Sequence, residues 1–118
     1  MEHQPTELKL RKSTRSLCVT FEDGQVFDMP LEYLRVYSPS AEVRGHGPGQ
    51  EVLQVGKKNV VVTRIEPVGA YAVRLVFDDG HNSGLFTWDV LYDLGQNHAT
   101  NWQHYLTRLE DAGASRES

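Results

Sequence analysis

At 118 residues the chain suits one domain, and folding at that length removes roughly two-thirds of the unfolded surface from water, enough for a single modest core. A 39% hydrophobic share with 24% charged residues is that of an ordinary globular domain and excludes a solvated disordered tail or a membrane-embedded bundle. Sixteen acidic against twelve basic residues leave a net charge of −4, which disfavours a sequence-independent grip on phosphate backbones, so nucleic acid is not an expected partner.

Residues 1–5 carry no apolar run and are expected to be flexible, and neither a secretory h-region nor a spanning segment follows, so no membrane partner is expected. One domain is expected over residues 6–112. Its first strand is read in TELKLRK, where Leu8 and Leu10 alternate with polar residues. Next comes LCVTFEDGQVF, with Leu17, Val19 and Phe21 on one face, then an acidic pair and glycine, then a second short strand. Asp23-Gly24 suits a type I′ hairpin turn. Cys18 sits inside the apolar run and is expected to be a small buried residue. A single cysteine excludes an intrachain disulfide and a four-cysteine metal site, which fits a reducing cytoplasm. PLEYL then opens a short helix.

Residues 38–59, with four glycines and two prolines, form a long loop, the first candidate for contact with a ligand or partner; Val52, Leu53 and Val55 offer a small strand inside it. β-Branched residues fill NVVVTRIEPV at 59–68, and a Pro/Gly turn at 67–70 joins this strand to the next, Val73 to Phe77. Residues 73–93 then repeat the earlier unit: Val73, Leu75 and Phe77 alternate, Asp78-Asp79-Gly80 turns, and TWDVL aligns with PLEYL after one extra residue. Trp88 is expected to anchor this second helix in the core, its indole N–H bonded nearby. The last helix is read from Thr100 as N-cap and Gln103 completing a capping box, with Trp102, Tyr105, Leu106 and Leu109 as a stripe packing on the sheet. Gly113 stops it, and residues 113–118 are expected to be a disordered tail. The fold class is therefore α+β: a mainly antiparallel sheet of about six strands from two hairpin–helix repeats, plus a C-terminal helix. Open sheet edges allow a monomer or a weak homodimer.

The segments MPLEYLRVYSPSAEVRGHGPGQ (29–50) and FDDGHNSGLFTWDVLYDLG (77–95) resemble the N-terminal domain of γ-butyrobetaine hydroxylase and the small bacterial proteins made of that domain alone. The likeness runs over roughly residues 6 to 96. In the hydroxylases the resemblance implies an accessory module with a structural zinc, the iron and 2-oxoglutarate chemistry belonging to a separate domain. Related domains are also fused to P-loop ATPases that carry iron–sulphur clusters. The zinc ligands there are three thiolates of an LRDxCxCxxC segment and the histidine of DGH. Here Ser38, Ser40 and Val43 stand where the thiolates would be, and His81 alone is kept, so no cysteine-type zinc site and no cofactor are expected.

Three functional readings remain open from the residues. The leading one is a non-catalytic accessory or protein-interaction module, linked to iron–sulphur or metal-related metabolism by the resemblance. Its partner is unidentified, and Arg35, Ser38, Ser40, Arg44, His46 and His81 are the contact candidates. The second is a zinc or iron protein with a rearranged ligand set of His81, His46 and Glu42. The third is a small-molecule enzyme with a pocket at Arg44, His46 and His81. Ser38, Ser40 and Ser83 are available nucleophiles, but G-x-S-x-G, H-E-x-x-H and a Walker-type loop are all lacking. For Asp78 and Asp79 the ordinary reading is solvated turn formers, for Arg35 and Arg44 solvated charges, and for His81 a hydrogen bond tying its loop to residues 38–44.

Overall fold

The computed structural model describes residues 3–45 and 49–117. Among the described residues six antiparallel strands are present, divided between two sheets of three. β1 (Pro5–Arg11), β2 (Ser16–Phe21) and β3 (Val26–Pro30) form the first in that order, and β4 (Val62–Val68), β5 (Ala72–Phe77) and β6 (Leu85–Thr87) the second. The central strands β2 and β5 carry the alternation seen in the sequence: Leu17, Val19 and Phe21, and Val73, Leu75 and Phe77, are all at most 4% exposed. Both sheets feed one core, which Met29, Leu31, Leu34, Phe86 and Leu91 also join.

The two hairpins close differently from the Asp-Gly expectation. A type I′ turn needs positive φ at both central residues, yet among the described residues only Gly24 (φ 89°) and Gly80 (φ 90°) adopt it in these turns. The N–H of Gly24 donates to the Phe21 carbonyl at 3.0 Å, and that of Phe21 to the Gln25 carbonyl at 2.9 Å. Gly80–Phe77 and Phe77–His81 repeat the pattern at 3.3 and 2.9 Å. These are three-residue loops in which a left-handed glycine forms the bulge. The β4–β5 turn also shifts: Pro67 and Val68 stay in β4, paired with Val73 and Ala72, which an edge strand permits because it spares proline's missing N–H.

Each hairpin hands over to a helix, α1 (Leu31–Val36) after β3 and α3 (Trp88–Gln96) after β6, with Thr87 Oγ1 capping α3 by accepting from the Val90 N–H at 3.2 Å. Trp88 is 8% exposed, and its Nε1–H donates to the Ala70 carbonyl at 2.8 Å. Between the repeats lies the single turn α2 (Ala41–Arg44), and no strand forms over residues 52–55; the Val52 N–H instead donates to the Val43 carbonyl at 2.8 Å. The last helix, α4 (His98–Asp111), begins two residues before Thr100, which is therefore interior rather than a cap. Its stripe does not cover a sheet. Tyr105 and Leu109 bury against Val36 of α1, with Leu53, Trp102 and Ala114 around them. Residues 114–117, expected as a free tail, lie along the chain: the N–H groups of Gly56 and Lys58 donate to the carbonyls of Ser115 and Arg116, each at 3.1 Å. At the other end His3 stacks on Tyr92 with ring centroids 3.6 Å apart. Among the described residues no helix is long and apolar enough to cross a membrane.

Candidate functional site

The polar residues singled out in the sequence meet where the loop after β5 crosses the turn between α1 and α2. His81 follows the left-handed Gly80, and its backbone N–H donates to Asp79 Oδ1 at 3.1 Å, which fixes the loop locally. Its ring is buried, 3% exposed, and both nitrogens are engaged. Nε2 lies 2.8 Å from Ser38 Oγ, and Nδ1 lies 3.0 Å from Glu42 Oε2. With the Nδ1 proton on the carboxylate side, Nε2 accepts the Ser38 hydroxyl proton, and every donor has an acceptor. Ser40 caps α2 by accepting from the Glu42 N–H at 3.2 Å and shares a 2.6 Å hydrogen bond with Ser83 Oγ; Ser83 in turn donates to Glu42 Oε1 at 3.1 Å. The bond from His81, joined by the one from Ser83, holds the Glu42 carboxyl below the usual carboxylate range.

A second pairing ties the same loop to α1. Arg35, read as a solvated charge, is 6% exposed; its Nε donates to Asp79 Oδ2 at 2.9 Å and Nη1 to Gln54 Oε1 at 2.9 Å. Lys57 Nζ reaches the same Asp79 oxygen at 2.7 Å. Burial raises the Asp79 pKa, but Lys57, the His81 N–H and Arg35 together outweigh it and bring the carboxyl to about 2. Asp79 is thus a cross-link as well as a turn former, and Asp78 accepts from the Val61 N–H at 3.1 Å. Arg35 turns inward because α1 is buried on all its residues, so no outward face remains for it.

The order Ser38, His81, Glu42 is that of a nucleophile, a base and an orienting acid. Access decides against using it so. Ser38 is 0% exposed, and Gly84 packs on it so closely that a Cβ there would stand 2.1 Å from Ser38 Oγ. A carbonyl carbon has no room to approach that oxygen. Arg44 is exposed at the end of α2 and does not join the cluster, and His46 lies outside the described residues. Of the expected pocket at Arg44, His46 and His81, the structure places Arg44 facing water and the His81 ring buried.

The zinc set implied by the resemblance does not fit the residues present. Ser38 and Ser40 offer neutral hydroxyls and Val43 nothing, and the one imidazole has both nitrogens spent on protein partners. Among the described residues no buried side-chain nitrogen or oxygen lacks a hydrogen-bond partner, and no group of three histidine, cysteine or acidic side chains is placed to hold a cation. Sequence reasoning found Ser38, Ser40, Glu42, Ser83 and His81 individually. It missed the Arg35–Asp79–Lys57–Gln54 group, whose members lie up to 44 positions apart with no local signal.

Comparison with known proteins supplies the context. The gamma-butyrobetaine hydroxylase-like, N-terminal family model matches residues 8–92. Two proteins known from NMR solution structures are similar throughout. One is 48% identical, with a TM-score of 0.84, over 98% of this chain and 90% of that one. The other is 54% identical, with a TM-score of 0.83, over 97% and 85%. A crystal structure of a protein of unknown function in the DUF971 family, from Acidithiobacillus ferrooxidans, is 38% identical over 78% of this chain and 92% of that one, with a TM-score of 0.66. No curated protein matches. A family match over most of the chain, joined to close structural relatives, places the protein: it belongs to the gamma-butyrobetaine hydroxylase-like N-terminal domain family.

Proposed function

We propose that this chain is a non-catalytic protein-interaction module, and that the Ser38–His81–Glu42 cluster is a structural latch under its docking surface. One observation carries the reading: every reactive group in the cluster is consumed by another, with His81 at 3% and Ser38 at 0% exposure. Such a cluster fixes the α1–α2 turn against the loop after β5 and shields the Ser38 hydroxyl and the His81 ring from a substrate, while the Glu42 carboxylate, 66% exposed, faces water with its oxygens bonded to His81 and Ser83. The segment that hydrogen-bonds to α2 nearby is of a different character. Val52 and Val55, next to the loop at 38–50, are 51% and 48% exposed, and the Val52 N–H is bonded to α2. Two valines exposed close together on one segment offer a small apolar area for another protein to cover. A partner in iron–sulphur or other metal-related metabolism is what the family resemblance supports, with exposed Arg44 as a contact residue and Arg35 as an internal support.

The test is affinity capture from an extract of the protein's own cells, comparing the native chain with a Val52→Asp/Val55→Asp chain. A specific partner retained by the first and lost by the second, with unchanged thermal stability, supports the reading. Recovery of the same proteins by both, or of none, refutes it.

A further inference from the structure

Away from the His81 latch, the C-terminal segment makes a set of contacts that a free tail has no reason to make. Gly113, at φ 63°, turns the chain back after α4. The N–H groups of Gly56 and Lys58 then donate to the Ser115 and Arg116 carbonyls. Arg116 sends Nε and Nη2 to the two oxygens of Glu32 at 2.8 and 2.7 Å, a bidentate pair, while its guanidinium lies 5.2 Å from the centre of the Trp102 ring. The two partners differ in accessibility. The Glu32 side chain, on the first turn of α1, is 7% exposed, whereas that of Arg116 is 37% exposed. A buried carboxylate is thus matched by a cation on a short segment that two backbone bonds and the Lys58–Glu117 ion pair at 3.0 Å also hold. Two surface cavities, of ≈ 360 and ≈ 340 Å³, flank the segment; Lys58 and Arg116 line both, and Glu32 lines the second. Lifting residues 114–117 would join them into one groove, leaving Glu32 and the face of Trp102 where the guanidinium had been.

We propose that this groove is a receptor for an extended, arginine-bearing segment of a protein partner, which residues 114–117 fill in cis as a resident strap. The chemistry selects the class. A carboxylate with both oxygens presented in one plane suits the guanidinium fork rather than an ammonium. The indole face adds a cation–π contact, and N–H donors at Gly56 and Lys58 accept an extended backbone as in strand addition. This site is separate from the docking surface around Val52 and does not depend on it. The strap's tether sets the competition, because an attached segment acts at an effective concentration in the millimolar range.

The test uses the full chain carrying Arg116→Ala and, as probe, an acetylated and amidated Ala-Ser-Arg-Glu-Ser peptide, followed by amide NMR. The Gly56 and Lys58 amides and the Trp102 indole N–H are expected to shift saturably. Affinity is expected to be at least about tenfold above that of the unaltered chain, about tenfold lower for a peptide with lysine in place of arginine, and abolished by adding Glu32→Gln. Absence of saturable shifts, equal affinity for the lysine peptide, or indifference to Glu32→Gln overturns the proposal. A measurement on the unaltered chain guards against a variant that does not fold. The Gly56 and Lys58 amides should exchange with solvent at least about a hundredfold faster than those of Val19 and Leu75, and equal protection would mean that the strap never lifts.

Discussion

Ser38→Ala takes one member from a pair in which both side chains are out of water. The substitution leaves the backbone and the Cβ in place but strands His81 Nε2, which has Ser38 Oγ at 2.8 Å as its partner. A buried acceptor deprived of its donor costs about 1–3 kcal/mol, more than the net worth of the bond itself. For a domain of 118 residues the unfolding entropy near the midpoint is about 250 cal/mol/K, so each kcal/mol moves Tm by about 4 °C. The expected fall is therefore about 4–12 °C, read by calorimetry at pH 7.5. The same scan on His81→Phe and on the double variant completes a cycle. Because the double variant removes Ser38 Oγ and His81 Nε2 together and leaves neither without the other, it should lose less than the two single losses added, with a coupling of about 0.5–3 kcal/mol. A Ser38→Ala midpoint within about 1 °C of the original, or strict additivity, would refute the claim that this bond holds the latch.

Gly95 lies in α3 against β3, and a Cβ there would come within 2.3 Å of the Phe27 ring, so Gly95→Ala should cost about 1–3 kcal/mol in urea unfolding despite alanine's better helix propensity; a stabilised variant would show that α3 and β3 are not in this contact. Asp79 supplies the acid limb. Its folded pKa of about 2 lies below the unfolded value, so the contribution is present above about pH 4 and is lost as pH falls toward 2. Across that window Asp79→Asn should lose about 1–2 kcal/mol less stability than the unaltered chain, measured by unfolding at stepped pH, whereas parallel curves would contradict the Arg35–Asp79–Lys57 pairing.

Much of this architecture was written in local pattern. The period-two alternation around Leu17 and Leu75 gave the central strands, because one face of each is buried and the chain records that burial directly. The repeated unit also showed that each hairpin hands over to a helix. What local pattern did not contain was turn handedness, helix entry and partners distant in sequence. Asp-Gly is compatible with two loop lengths, and only the pairing of Phe21 with Gln25 distinguishes them. Thr100 and Gln103 imitate a capping box inside a helix that starts at His98. The inward turn of Arg35 and the docking of Arg116 on Glu32, 84 positions away, depend on tertiary packing that composition cannot report. At the site, His81 and the 38–44 segment were each visible, and the structure supplies what joins them: a serine hydroxyl on one ring nitrogen and a carboxylate on the other.

The most direct test of the account is the metal content of the untagged protein purified from its own cells, measured by elemental analysis alongside a zinc titration followed through the His81 ring resonances. With both imidazole nitrogens engaged by Ser38 and Glu42, zinc and iron should be far below one ion per chain, and stoichiometric zinc should leave those resonances unmoved. One tightly held ion per chain, lost on His81→Ala, would show that the cluster is a metal centre and that the latch does not exist in the native protein.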